Sequence, residues 1–335
     1  RGHDRASGAL NKTATATDRV AGALKRTVKQ AGAAAAAYFG FNQALTAAKG
    51  AIDSSIKFSG ELAKIQTLVG NNTAEMDKLK AGIISISRET GKPLEDLAAA
   101  TFQTISAFGN QADTLEKVSL AARASVAGFT DSKGAVDLAT LVMRNYGDET
   151  ARGMQKSFDL AFITNKLGVT TFPELAASMD QVIPIASQLN VKQEELFALY
   201  AALTGASGDA AKVSTQLTAV LSGLAAKTDG AAKVVKALGF ETAEQLIAEK
   251  GLLTALQMVT AETGRNAGAL KTAFGRKQAL VGLLPLLTSR TDHYRGALDA
   301  MRDSAGKMDD AFVDAGKGLG AFDRQNKIIN ARLEA

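Results

Sequence analysis

The feature that most constrains the fold of this chain is a helix-start pattern that recurs along its middle. The pattern appears as "GKPLEDLA" (91–98), "TTFPELA" (170–176), "NVKQEELFA" (190–198) and "GFETAEQLIA" (239–248). Each copy places an acid in the first turn, where a carboxylate suits the positive end of the helix dipole. We expect Pro93 and Pro173 at the first helical position, which proline favours. The irregular spacing indicates separate helix starts and not a solenoid repeat.

Strand signals are missing from the same region. No alternating run of β-branched residues reaches strand length with turn residues on both sides. Short corners rich in Gly, Asn and Asp separate the apolar runs, as in "VGNNTAEM" (69–76), "NYGDET" (145–150) and "TGASGDAA" (204–211). We therefore predict an all-α chain. It has a multi-helix core at 58–290, a long basic amphipathic helix at 1–57 that resembles a coiled coil, and a C-terminal heptad helix at 291–335.

The two ends carry heptads. Uncharged residues keep a 3–4 spacing without a slip from position 10 to 55, and a second series runs from Leu298 to Leu333. Sustained heptads predict coiled coils, and a buried Asn such as Asn326 commonly fixes register and partner number. A long amphipathic helix packed on its own domain is the alternative. The predicted oligomer interface consists of Leu298, Met301, Met308, Phe312, Leu319, Phe322, Asn326, Ile329 and Leu333.

The positive charge is concentrated at the start of the chain. The net charge is +5 overall, and residues 1–30 carry seven basic against two acidic side chains. A basic amphipathic helix suits an acidic protein, a nucleic acid or a membrane surface, and it equally suits a solvated helix face. The aromatic interleaving of a single-strand nucleic-acid surface is missing. Because the chain begins at Arg1, we expect a piece of a longer protein or a processed product.

No motif in the sequence indicates catalysis. The chain has no Cys and two His, so a disulfide framework and a Cys-containing zinc site are excluded. The HExxH, GxSxG, GxxxxGK[ST] and GxGxxG patterns are absent. We therefore expect a protein that is not an enzyme and that has no metal and no cofactor. The apolar stretches 31–41 and 279–287 are shorter than the roughly 20 residues that span a bilayer.

An ordered set of segments resembles one known family. "AKIQTLVG" (63–70) is followed by "SRETGKPLEDLAAATFQTISAFG" (87–109), "DLATLVMRNYG" (137–147) and the long run "ELAASMDQVIPIASQLNVKQEELFALYAALT" (174–204). "LKTAFGRKQALVGLLPLL" (270–287) and "YRGALDAMRDSAGKMDDAF" (294–312) complete the series. In this order they resemble the core region of phage tail tape measure proteins over roughly 50–312. The resemblance makes Gly275 and Arg276 a signature corner without a catalytic role, and Gly275 suits a helix C-cap.

The resemblance implies a virion structural protein. Such a protein lies in the tail tube lumen or tip, sets tail length during assembly in the host cytoplasm, and is ejected to help DNA delivery. The implied partners are further copies of the chain (a trimer, or a hexamer where tail symmetry demands it), tail tube proteins, and tail tip or baseplate proteins. The resemblance also allows contact with the host membrane on ejection and with DNA in the tube, without sequence specificity.

Two other classes of function stay open at this point. One is a membrane-active helical protein, either a pore former or a translocator. The other is a fragment of a cell-wall hydrolase, for which the sequence contains no motif.

Overall fold

The computed structural model describes residues 54–128, 130–226, 229–263 and 277–315. The chain divides into two units, residues 1–57 and 58–335. Of the first unit, only residues 54–57 are described, so the predicted basic helix of this unit lies almost wholly outside the described residues. The account that follows concerns the second unit.

Helices make up the described part of the chain, and no strand occurs in it, which confirms the all-α prediction. The first helix, α1, covers residues 54–69. The others are α2 (Thr73–Thr90), α3 (Leu94–Phe108), α4 (Thr114–Ala127), α5 (Ser132–Tyr146), α6 (Ala151–Leu167), α7 (Phe172–Met179), α8 (Ile183–Gln188), α9 (Gln193–Ser207), α10 (Ala210–Ala225), α11 (Asp229–Ala237), α12 (Ala243–Lys250), α13 (Leu252–Glu262), α14 (Lys277–Leu287), α15 (Thr291–Arg302) and α16 (Lys307–Ala315).

The helices begin where the sequence pattern predicts. Helix α7 starts with a capping box, in which the side chain of Thr171 and the side chain of Glu174 each accept a backbone N–H bond from the other residue. The two prolines differ from the prediction by one residue. Pro93 precedes α3 as its N-cap, where its extended ψ of 146° is outside the helical range, and Pro173 is the second residue of α7. The fixed φ of proline suits the N-cap and the first two helical positions equally, so it does not place the proline at one of them in particular.

Helix α9 lies at the centre of the fold. Ten consecutive residues of α9, from Glu195 to Thr204, are buried, and a helix that is buried on all sides must be surrounded by other elements. Its neighbours include α6, α10, α14 and α15, while α2, α3, α4 and α5 pack on one another beside α6. Nearly all of the buried apolar residues form one continuous core.

Buried and half-buried carboxylates tie helices together by capping a neighbour. The first backbone N–H groups of a helix have no partner within it, and they favour a negative charge. In four places a carboxylate from another helix or its cap accepts these bonds. The pairs are Asp96 with Ser132 N (3.1 Å), Asp113 with Ala151 N (3.1 Å), Asp159 with Met308 N (2.9 Å) and Glu195 with Leu252 N (3.0 Å).

Candidate functional site

The described end of the chain does not form the single heptad helix that the sequence predicts. Helix α15 ends at Arg302 and α16 begins at Lys307. Between them, Gly306 has a φ of +78°, and the Lys307 N–H donates to the Ser304 carbonyl in a turn. A left-handed residue interrupts a helix, so the prediction is wrong over this stretch. We call residues 303–315 the C-terminal arm.

The predicted interface residues divide into two groups. Met301, Met308 and Phe312 are buried, and Leu298 is half-buried against the same core. These four side chains therefore pack in their own domain. This agrees with the alternative prediction of an amphipathic helix that packs on its own domain. The second group lies outside the described residues and consists of Leu319, Phe322, Asn326, Ile329 and Leu333.

A buried carboxylate holds the arm on the core. Asp159 of α6 is 2% exposed, and its two carboxylate oxygens accept the N–H groups of Gly306 (3.0 Å) and Met308 (2.9 Å). The Gln155 amide donates to the same carboxylate at 3.3 Å. Burial raises the pKa of the Asp159 carboxyl, although these three bonds oppose the shift. The contact joins residues 147 apart in sequence.

A second contact of the arm is an ion pair closer to solvent. The Arg123 guanidinium of α4 lies 3.0 Å from the carboxylate of Asp309, and both side chains are partly exposed. Partly exposed ion pairs of this kind contribute about 0–1 kcal/mol. Asp159 therefore contributes more to holding the arm than Arg123 does.

A groove runs between α6, α9 and α15, beside the arm. Its volume is about 590 Å³. Leu167 and Val169 line it and are 47% and 58% exposed, which leaves two large apolar side chains open to solvent. Its other lining residues are small except for Arg290 and His293, and they are Ala201, Ala202, Gly205, Gly296, Ala297 and Ala300.

The groove continues towards the arm. A second cavity of about 400 Å³ shares Leu167 and Ala300 with the first. Charged residues from α6 and the arm line this part, including Lys166, Lys307 and Asp310. The combined surface, which we call the α6–α15 groove, has an apolar end and a charged end. Such a surface suits contact with an amphipathic protein segment.

The described residues carry no arrangement that indicates metal binding. Among them, no group of three or more His, Asp or Glu could hold a metal ion. The buried Lys117 ammonium is held by Asp113 (3.1 Å) and by Gln111 (3.0 Å). In the same parts of the chain, no helix is both long enough and apolar enough to cross a bilayer. Gly275 and Arg276 lie outside the described residues, which resume at Lys277.

Comparison with known proteins identifies the class to which this all-helical domain belongs. A family model for phage-related minor tail proteins matches residues 80–275, more than half of the chain. The chain therefore belongs to the phage-related minor tail protein family, and proteins of the phage tail are components of the virion. The match confirms the resemblance to phage tail proteins that the sequence segments indicated.

Two curated relatives are similar over most of this chain. A "Probable tape measure protein" of Clostridium phage phiCD119 is 24% identical over 272 residues, which cover 77% of this chain and 28% of that protein. A protein of Escherichia phage P2 with the same description is 25% identical over 300 residues, which cover 82% of this chain and 34% of that protein. The chain thus spans about a third of their length. No solved structure matches it.

Proposed function

We propose that this chain is the core segment of a phage tail tape measure protein. Its role is structural: it sets tail length during assembly and leaves the tail to help DNA delivery. The observation that carries the proposal is the minor tail family match over residues 80–275, together with two relatives that are both described as probable tape measure proteins. The heptad pattern at the two ends of the chain supports it, because a continuous helix advances about 1.5 Å per residue and converts chain length into distance.

The partners that we propose are other proteins of the tail. The chain contacts tail tube and tail tip or baseplate proteins, within the tube lumen or at the tip. Of the described surfaces, the α6–α15 groove suits such a contact best, because Leu167 and Val169 are large apolar residues left exposed along it. The basic residues of 1–30 suit an acidic partner, and on ejection the host membrane and the DNA are further surfaces that the chain meets.

We also propose that the chain works as an oligomer. The heptad residues from Leu319 to Leu333 pair with the same residues of other copies, in a trimer, and Asn326 fixes their register. In the folded chain Met301, Met308 and Phe312 are buried and Leu298 is half-buried. The pairing therefore begins beyond the arm, unless the arm itself rearranges.

The proposal is tested by changing the length of the ruler in the phage that carries this gene. Duplication of residues 24–44 adds three heptads and keeps their phase. We expect the tail to lengthen by about 32 Å, the length of the added helix, as measured by electron microscopy of negatively stained virions. Leu24→Met alters the same segment without changing its length, and tails of that variant should keep the original length. Infectious particles with unchanged tails after the duplication would contradict the ruler function.

A further inference from the structure

The C-terminal arm carries a sequence pattern that its folded path interrupts. Leu298, Met301, Ala305, Met308 and Phe312 keep the 3–4 spacing through the turn between α15 and α16. In one continuous helix these five side chains would form a single apolar stripe. In the structure, Ala305 is exposed at the turn, Leu298, Met301 and Met308 pack on the core, and Phe312 is buried. The sequence thus suits a straight helix as well as the observed path.

Two of the bonds that hold the interruption come from outside the arm. In a continuous helix, the N–H groups of Gly306 and Met308 would donate to the carbonyls of Arg302 and Ser304. Here both donate to the Asp159 carboxylate, at 3.0 and 2.9 Å. A single side chain of α6 therefore replaces two bonds that a straight helix would make by itself.

Gly306 supplies the backbone conformation that the interruption needs. Its φ of +78° is in the left-handed region, and a Cβ at this position would have no atom within 4 Å. Space therefore does not require glycine here, but the conformation does, because other L-residues adopt it at a cost. A side chain at position 306 would disfavour the turn and favour a helix.

We propose that the C-terminal arm has two conformations, the interrupted one of this structure and a continuous helix with α15. In the second form Met308 and Phe312 leave their buried positions and lie on the part of the continuous helix that extends beyond α15, where they can pair with a second copy of the chain. Helix α15 keeps its place, because it packs on α9 and α6 independently of the arm. Burial of Met308 and Phe312 favours the interrupted form in the isolated chain. The proposal concerns the purified chain and does not depend on the tape measure role.

The first test uses hydrogen exchange of the full 335-residue chain. Gly306→Ala penalises the left-handed turn and improves the helix, so we expect the opening of the arm to become roughly 30- to 150-fold more frequent. Exchange of the amides of residues 308–315 should accelerate by that factor, because an unpacked helix protects its amides far less than a packed one. Gly296→Ala is the matched control, since it lies within α15 and also has no atom within 4 Å of its Cβ.

The second test asks whether the opened arm is a straight helix. The chain has no Cys, so spin labels can be placed at Asp299→Cys and Asp310→Cys alone. In the Asp159→Ala/Gly306→Ala variant, we expect a narrow distribution of distances between the two labels, centred on a backbone separation of about 16 Å, as in a continuous helix. This distribution should differ from that of the labelled protein without these two changes.

Each result decides the proposal. Faster exchange in Gly306→Ala, slow exchange in Gly296→Ala and the narrow distribution would together support it. Unchanged exchange in Gly306→Ala would overturn it, because the turn would then not be held by the left-handed glycine. Faster exchange with a broad distribution would also overturn it, because the arm would then unravel instead of straightening. Protection of the α9 amides shows in every variant that the core remains folded.

Discussion

Gly168 offers a quantitative test of how closely α6 and α9 approach beside the groove. An added Cβ at Gly168 would lie 2.4 Å from Thr204 Oγ1, 2.9 Å from the Thr164 carbonyl oxygen and 3.2 Å from the Ala201 Cα. Two of these neighbours are backbone atoms, the Thr164 oxygen of α6 itself and the Ala201 Cα of α9, and neither moves unless its helix moves. The φ of Gly168 is −99°, which any residue can adopt. The expected effect of Gly168→Ala is therefore due to crowding and not to backbone strain.

The magnitude follows from two opposing terms. Overpacking of this kind costs about 1–3 kcal/mol, and the smaller conformational freedom of alanine in the unfolded chain returns about 0.4–1 kcal/mol. We expect Gly168→Ala to lower the free energy of unfolding by about 1–2 kcal/mol, which for a chain of this size lowers Tm by roughly 1–3 °C. Thermal and urea unfolding, followed by the helical circular dichroism signal, measure both quantities.

Gly205→Ala is the matched control on the other side of the same contact. Its Cβ would lie 3.7 Å from the Leu167 carbonyl oxygen, an ordinary contact distance. Because Gly205 lies within α9, alanine should leave stability unchanged or raise it by up to about 1 kcal/mol. Equal stability of the two variants, or a Gly168→Ala protein as stable as the wild type, would refute the close approach of α6 to α9.

Three further predictions concern the arm and the segment beyond it. Asp159→Ala leaves buried N–H groups unpaired and should cost about 1–3 kcal/mol, against less than about 1 kcal/mol for Arg123→Ala. Because burial raises the pKa of Asp159 in the folded chain, its contribution is complete below its unfolded pKa of about 3.9 and declines as the pH rises through the folded pKa. The Tm difference between the wild type and Asp159→Ala should therefore narrow with rising pH, and a widening difference would contradict this. Phe322→Asp should dissociate the proposed oligomer in sedimentation experiments, and an unchanged mass would count against the pairing.

The helical elements could be predicted from the sequence because their signals are local. A turn residue, an acid in the first turn and a following run of Leu and Ala lie within eight residues of one another in "GKPLEDLA". Helices α3, α7, α9 and α12 each begin inside one of these segments. The corners were equally clear, since Gly, Asn and Asp favour turns wherever the chain places them.

The bonds that fix one helix on another could not be predicted in the same way. Asp159 lies in the middle of α6, where the sequence gives it the appearance of a surface residue, and its partner Gly306 is 147 residues away. The same holds for Glu195, whose carboxylate caps α13 at Leu252 from 57 residues away. A cap is recognisable in sequence only when it is local. The side chains that hold the arm therefore became visible only in the structure.

The heptad at the end of the chain shows what periodicity does and does not specify. Apolar residues at a 3–4 spacing predict that one face of a helix is buried, because residues at that spacing share a face. The spacing does not predict which surface covers that face. For Met301, Met308 and Phe312 the cover is the chain's own core, even though the pattern continues unbroken to Leu333. The difference is decided by Asp159 and Gly306, neither of which belongs to the stripe. A segment that packs on the core of its own chain in one state and on a second copy in another state needs an apolar stripe that fits both partners.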